Sequence, residues 1–136
     1  MSTLIRPEIT KKSKYWISKH KYYELKHYCL QYPEWKKKVL ELENSYVKSR
    51  LYLDPNNKGG DSVGDIAAEC ATLKCRMDEI KDTCIKADPY LWSYIFKAVT
   101  SGCSFTYLKT MLNMPAEKGM YYDRYRRFFY LLSNSH

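Results

Sequence analysis

No run of about eighteen apolar residues occurs in this chain, so no membrane span is expected. The opening Met1-Ser-Thr-Leu-Ile-Arg-Pro lacks the apolar core of a secretory signal, and a cytosolic location is expected. No C-x-x-C pair exists. The five cysteines, at 29, 70, 75, 84 and 103, are odd in number and read as reduced thiols, not as a disulfide framework. Cys70 and Cys84 fit buried, small apolar positions. His20 and His27 stand seven apart, too far for the usual one-turn metal pair, so neither a metal nor a cofactor is expected. Gly59-Gly60 lacks the Lys-Ser/Thr that completes a phosphate-binding loop. No Ser/His/Asp or Cys/His arrangement has a recognisable context, and Asp78, Glu79 and Asp82 read as a solvated face. Catalysis is not expected, and no strand signal appears.

What is present is charge and tyrosine. The chain of 136 residues is 45% hydrophobic, enough for a core, and suits one domain or one domain with an extended element. Fourteen tyrosines combine packing area with a hydroxyl for phosphate, base or water. The formal charge of +8 is uneven. Residues 1–38 hold ten Lys/Arg against three acids, whereas 39–88 hold seven against ten. Residues 89–136 are basic again, so two anion-facing surfaces are expected, one near each end.

The pattern throughout is helical. After a flexible lead-in over 1–12, Ser13 precedes a basic helix to about Tyr32. Its Trp16, Tyr23 and Leu30 repeat on one side, and Ile17, Leu25, Tyr28 and Tyr32 form a second patch. His20 and His27 read as half-buried packing residues. Pro33 suits the first turn of the next helix, which runs to about Leu53. Its seam is Trp35, Val39, Leu42, Tyr46, Ser49 and Leu53, at the spacing of a coiled coil. The loop Asp54-Pro-Asn-Asn-Lys-Gly-Gly60 follows, with Asp61 or Ser62 as the next cap. A third seam, Val63, Ile66, Cys70, Leu73, Met77, Ile80 and Cys84, predicts an antiparallel hairpin over 34–53 and 61–86. Its apolar edge should be buried against the first helix or a second subunit, making a homodimer. The expected organisation is a lead-in over 1–12, basic helix plus hairpin over 13–87, and a compact end over 88–136.

That end carries the chemistry. Asp88-Pro89 can open a helix containing Leu91, Ile95, Phe96 and Val99, which Ser101-Gly102 stops. Ser104 can cap a second helix with Phe105, Leu108 and Met111. Asn113-Met114-Pro115 breaks the chain, and Pro115 can begin a third. Helix, tight turn, basic helix is the layout of a helix-turn-helix unit, whose second helix enters the DNA major groove. On a wheel of 100° per residue, Tyr121, Tyr125, Phe128 and Leu132 share one side, with Tyr122 and Phe129 at its margin. Asp123, Arg126, Arg127 and Tyr130 lie opposite, and Arg124 nears a boundary. Arg126 and Arg127 are expected to read bases, and Arg124 and Lys118 to meet phosphate. Tyr130, Lys109 of the preceding helix, and Lys19 and Lys26 of the first helix complete the candidate contacts with double-stranded DNA.

A resemblance attaches to the same residues. Met114-Pro115 followed by Gly119-Met-Tyr-Tyr-Asp-Arg-Tyr-Arg-Arg-Phe-Phe-Tyr-Leu-Leu132 is similar to the ending of the RinA-like and ArpU-like phage regulators of late transcription. Tyr125 stands where those proteins more often carry Arg. The block Tyr22-Tyr-Glu-Leu-Lys-His-Tyr-Cys-Leu-Gln-Tyr-Pro-Glu-Trp35 also resembles a clostridial phage subset. The resemblance implies a helix-turn-helix related to the promoter-reading fourth region of sigma factors. It also implies a bacterial host cytoplasm and DNA as partner, with host RNA polymerase or a defence protein as further candidates. The Ser104 helix would then support and the Pro115 helix would read. The resemblance leaves two other functions open: a phage inhibitor of a nucleic-acid-targeting host defence complex, and a small DNA-packaging (terminase) subunit, whose fold also combines helix-turn-helix and coiled coil.

Overall fold

The computed structural model describes the backbone of residues 14–51 and 60–136 and the side chains of 14–48 and 63–136. The expected lead-in over 1–12 and the loop over 54–59 lie outside the described residues, whereas Asp61 and Ser62, expected as caps, lie within helical backbone that already includes Gly60. The described chain is all-α: α1 (Lys19–Leu30), α2 (Tyr32–Leu51), α3 (Gly60–Ala87), α4 (Trp92–Ser101), α5 (Phe105–Met111) and α6 (Lys118–Asn134). It divides into two compact units, one formed by Tyr32–Glu79, the other by the residues before Tyr32 together with Ile80–His136. The expected break between 87 and 88 is therefore replaced: α1 belongs with the C-terminal helices, because it packs on α4 and α6.

In that second unit α1 begins later than Ser13 suggested. The Ser18 hydroxyl accepts from Lys21 N at 3.2 Å and fixes the start at Lys19. Buried Ile17 and Tyr22 occupy the positions flanking a cap that form a hydrophobic staple. The face that α1 buries is Tyr22, Leu25 and Cys29, not Trp16, Tyr23 and Leu30, which are half-buried. His20 and His27 are exposed instead of half-buried. The other buried side chains of this unit include Ile80 and Cys84 of α3, Ile95 and Val99 of α4, Leu108 of α5, and Tyr121, Phe128, Phe129 and Leu132 of α6. Phe129, marginal on the wheel, is fully inside because α1 covers it: its ring lies 5.1 Å from that of Tyr22, edge to face.

The other unit pairs α2 with the first part of α3. The Arg76 guanidinium lies 5.8 Å from the Trp35 ring, and Lys74 Nζ lies 3.4 Å from Glu43 Oε2. Tyr32 meets the field of Asp78, which, after burial, raises its phenol above the ordinary value. Partner numbers fall along α3 as they rise along α2, so the two helices run in opposite directions. Trp35, Val39, Leu42, Cys70 and Leu73 of the expected seams are buried. α3 is a single uninterrupted helix of 28 residues whose last turns, from Ile80, belong to the core of the other unit.

Candidate nucleic-acid interface

The geometry of the C-terminal unit starts at Asp88. Its buried carboxylate accepts through Oδ1 from the backbone amides of Tyr90 (2.8 Å) and Leu91 (3.0 Å). Asp88 thus closes the turn after α3 and does not cap the helix it was expected to open, whose N-cap position is Leu91. That turn runs three residues further than Asp88-Pro89 suggested, and α4 starts only at Trp92. Gly102 ends α4 in the left-handed conformation at φ 71°, which places Ser104 to cap α5 by accepting from Tyr107 N at 3.1 Å.

Between α5 and α6 the chain does not make the tight turn expected. Leu112–Glu117 separates the two helices, and α6 begins at Lys118 rather than at Pro115. Pro115 has no amide to give, and its neighbours Met114 and Ala116 turn inward and are buried. Asn113 adopts a left-handed φ of 53°, which asparagine tolerates better than most residues. Met114 N then closes the turn by donating to Leu108 O at 3.1 Å. Phe105 holds the start of α6 from α5, with ring centroids 5.5 Å from Tyr121 and 5.9 Å from Tyr122.

The candidate contacts divide into three groups. Two residues are committed inside the fold. Arg124 Nε donates to Asp88 Oδ2 at 3.1 Å and its Nη1 to Asp123 Oδ2 at 2.6 Å, so in place of the expected phosphate contact it makes an internal tie from α6 to the turn between α3 and α4. Lys109 Nζ donates to Ala116 O at 3.0 Å and lies 3.7 Å from Glu117, fastening the α5–α6 link. Both are held for the same reason: each cation faces an acceptor that the chain folds beside it.

A second group is partly engaged. Lys26 lies near the rings of Tyr22 (6.0 Å) and Tyr23 (5.8 Å). It also borders a cleft of about 210 Å³ between α1, the α4–α5 turn and α6, with Ser104, Tyr121, Tyr122 and Tyr125 on its walls. Tyr130 packs on Tyr15 at 5.8 Å, with Lys14 Nζ 5.0 Å from the Tyr15 ring. Tyr15 and Lys14 are not legible as neighbours of α6 in the sequence, since no periodicity connects residues outside a helix to it.

Arg126, Arg127, Lys118 and Lys19 form the third group. Lys118 and Lys19 are exposed, and Arg126 and Arg127 are half-buried. Among the described residues no carboxylate pairs with any of the four. Arg126 and Arg127 flank Tyr130 on the side of α6 opposite Tyr121, Phe128 and Leu132, as the wheel indicated.

The Tyr22 and Tyr125 hydroxyls share a 3.1 Å hydrogen bond. Burial, and then Tyr22, hold the Tyr125 phenol well above its ordinary pKa, and burial with Tyr122 does the same for Tyr121. The Cys84 thiol is also pushed up, by burial and then by Cys29. Buried Cys70 and Cys84 fit the apolar roles expected of them. No helix among the described residues is long and apolar enough to cross a membrane. No family model, characterised protein or solved structure matches the chain.

Proposed function

We propose that the protein binds double-stranded DNA through α6, as a transcription regulator of the phage class its ends resemble. The observation that carries this reading is the outward pair Arg126 and Arg127. Both stand half-buried on a helix whose opposite side is anchored by Tyr121, Phe128, Phe129 and Leu132, and neither has a carboxylate partner among the described residues. Positioned arginines free to fork onto guanine or phosphate are what a groove-reading helix needs. The exposed Lys118 at the first position of α6 supports the same reading.

The test is selection of random duplexes on the purified full chain, followed by salt titration of the parent and of Arg126→Ala/Arg127→Ala. Each phosphate interaction removed should lower the salt slope by about one unit. Each base interaction removed should cost about 1–3 kcal/mol at the selected site only. A folded double variant that binds every duplex as the parent does would overturn the proposal.

A second reading rests on a different observation. Tyr107 and Met111, one turn apart on α5, and Met120 at the start of α6 are exposed large apolar residues, with Met111 at 66%. Exposed methionine and tyrosine suit protein contact, as the inhibitor of a host defence complex would require. Met111→Ser/Met120→Ser should abolish capture of a purified host protein under that reading and leave duplex binding intact under the first.

A further inference from the structure

We propose that the α2–α3 unit docks against a second copy of itself through the face carrying Leu40, Val47, Gly64 and Ala71, giving a two-fold dimer. Two antiparallel helices cannot enclose their own seam, and here they leave an open groove of about 360 Å³ lined by residues such as Leu42, Tyr46, Ile66 and Ala71. On the groove side of α2, Leu40 and Val47 stand seven residues apart with 58% and 53% of their surface in water. On the groove side of α3, Gly64 and Ala71 are also seven apart and exposed. A Cβ built on Gly64 would meet nothing within 4 Å, so no contact within the unit calls for glycine there. Glycine inside a helix costs about 0.5–1 kcal/mol relative to alanine, and close approach by another backbone or side chain is what usually accounts for it.

The two pairs match each other. A two-fold axis lying in the interface and parallel to the helices lays α2 of one copy over α3 of the other, antiparallel. Val47 then meets the partner subunit's Gly64 as Leu40 meets the partner subunit's Ala71, large side chain into small, and the reverse contacts follow by symmetry. Charge favours this unit over the other. Tyr32–Glu79 holds eight basic and nine acidic residues, whereas the rest of the chain holds fifteen basic against six. Two copies of the near-neutral unit approach without repulsion, and two copies of the basic one do not. The face is also large enough. Twenty-residue helices of about 30 Å, side by side at about 10 Å each, present about 600 Å² per copy. The total of about 1,200 Å² lies at the lower edge of stable interfaces.

Sedimentation equilibrium of the full chain without DNA tests this independently of any nucleic-acid role. Between 5 and 200 µM (roughly the range in which such interfaces saturate) the mass should approach twice 16.2 kDa. Val47→Glu should return it to the single-chain value. Gly64→Leu raises helix propensity and has room within the unit. It should keep full helicity by circular dichroism and still be monomeric. A parent that remains at 16.2 kDa at the highest concentration, or a Gly64→Leu protein that dimerises as the parent does, overturns the proposal.

Discussion

Arg124 shows how a charge that looks available can be taken up inside the fold. In the sequence it is one of three arginines in a basic helix, and nothing marks it apart from Arg126 and Arg127. The carboxylate that claims it is thirty-six residues away, at Asp88. Asp88 is legible as an acceptor for nearby backbone amides; that its second oxygen serves Arg124 is not, because the partner is set by packing and not by spacing. Removing the guanidinium leaves a buried Asp88 oxygen without its donor. With Arg124 itself 31% exposed, Arg124→Ala should cost about 1–2 kcal/mol, a fall in melting temperature of roughly 3–10 °C. The salt slope of DNA binding should not change. A slope reduced by one unit with the melting temperature intact would return Arg124 to the interface.

At the scale of elements, the helices are legible in the sequence and several of their starts are not. The seam Trp35-Val39-Leu42 with Cys70-Leu73 appears there as period alone, and burial follows it. Ser104 and the Gly102 stop are readable because both act within one turn. Ser18 displaces Ser13 since its hydroxyl meets an amide three residues on, and Ile17 before it is buried. Pro115 favours a first turn in isolation, yet the burial of Met114 and Ala116 on either side delays α6 to Lys118. The face of α1 is hidden for a related reason. An amphipathic stripe rich in tyrosine has little contrast, so a wheel cannot tell Tyr22 from Tyr23. The side chains of Tyr125 and Phe129 decide in favour of Tyr22.

For the molecule as a whole, the buried phenols and thiol imply a stability that declines in alkali. Below pH about 8.5 both the folded and unfolded chains hold the protons of Cys84, Tyr121 and Tyr125. Above that value the unfolded chain releases first the thiol proton and, from about pH 10, the phenolic ones, while the raised folded values keep them in place. The folded state then binds more protons, so unfolding free energy falls with rising pH, by about 1.4 kcal/mol per unit for each group involved. Urea titrations from pH 7 to 11 should show a flat region followed by this decline. A Tyr125→Phe variant, lacking one of these protons, should decline less steeply, and an identical slope would remove Tyr125 from the set.

The continuity of α3 bears on how firmly its backbone protons are held. One helix supplies residues to two cores of different size, so its amides report two different opening reactions. From Ile80 to Ala87 they should exchange with deuterium only as slowly as the larger unit unfolds. From about Val63 to Glu79 protection rests on the pairing with α2 alone, and exchange should be faster, with the step falling inside an unbroken helix. Diluting the protein should quicken exchange in the first part if a second copy covers it, and leave the last two turns as they were. A uniform rate along the helix would mean that the two cores open as one.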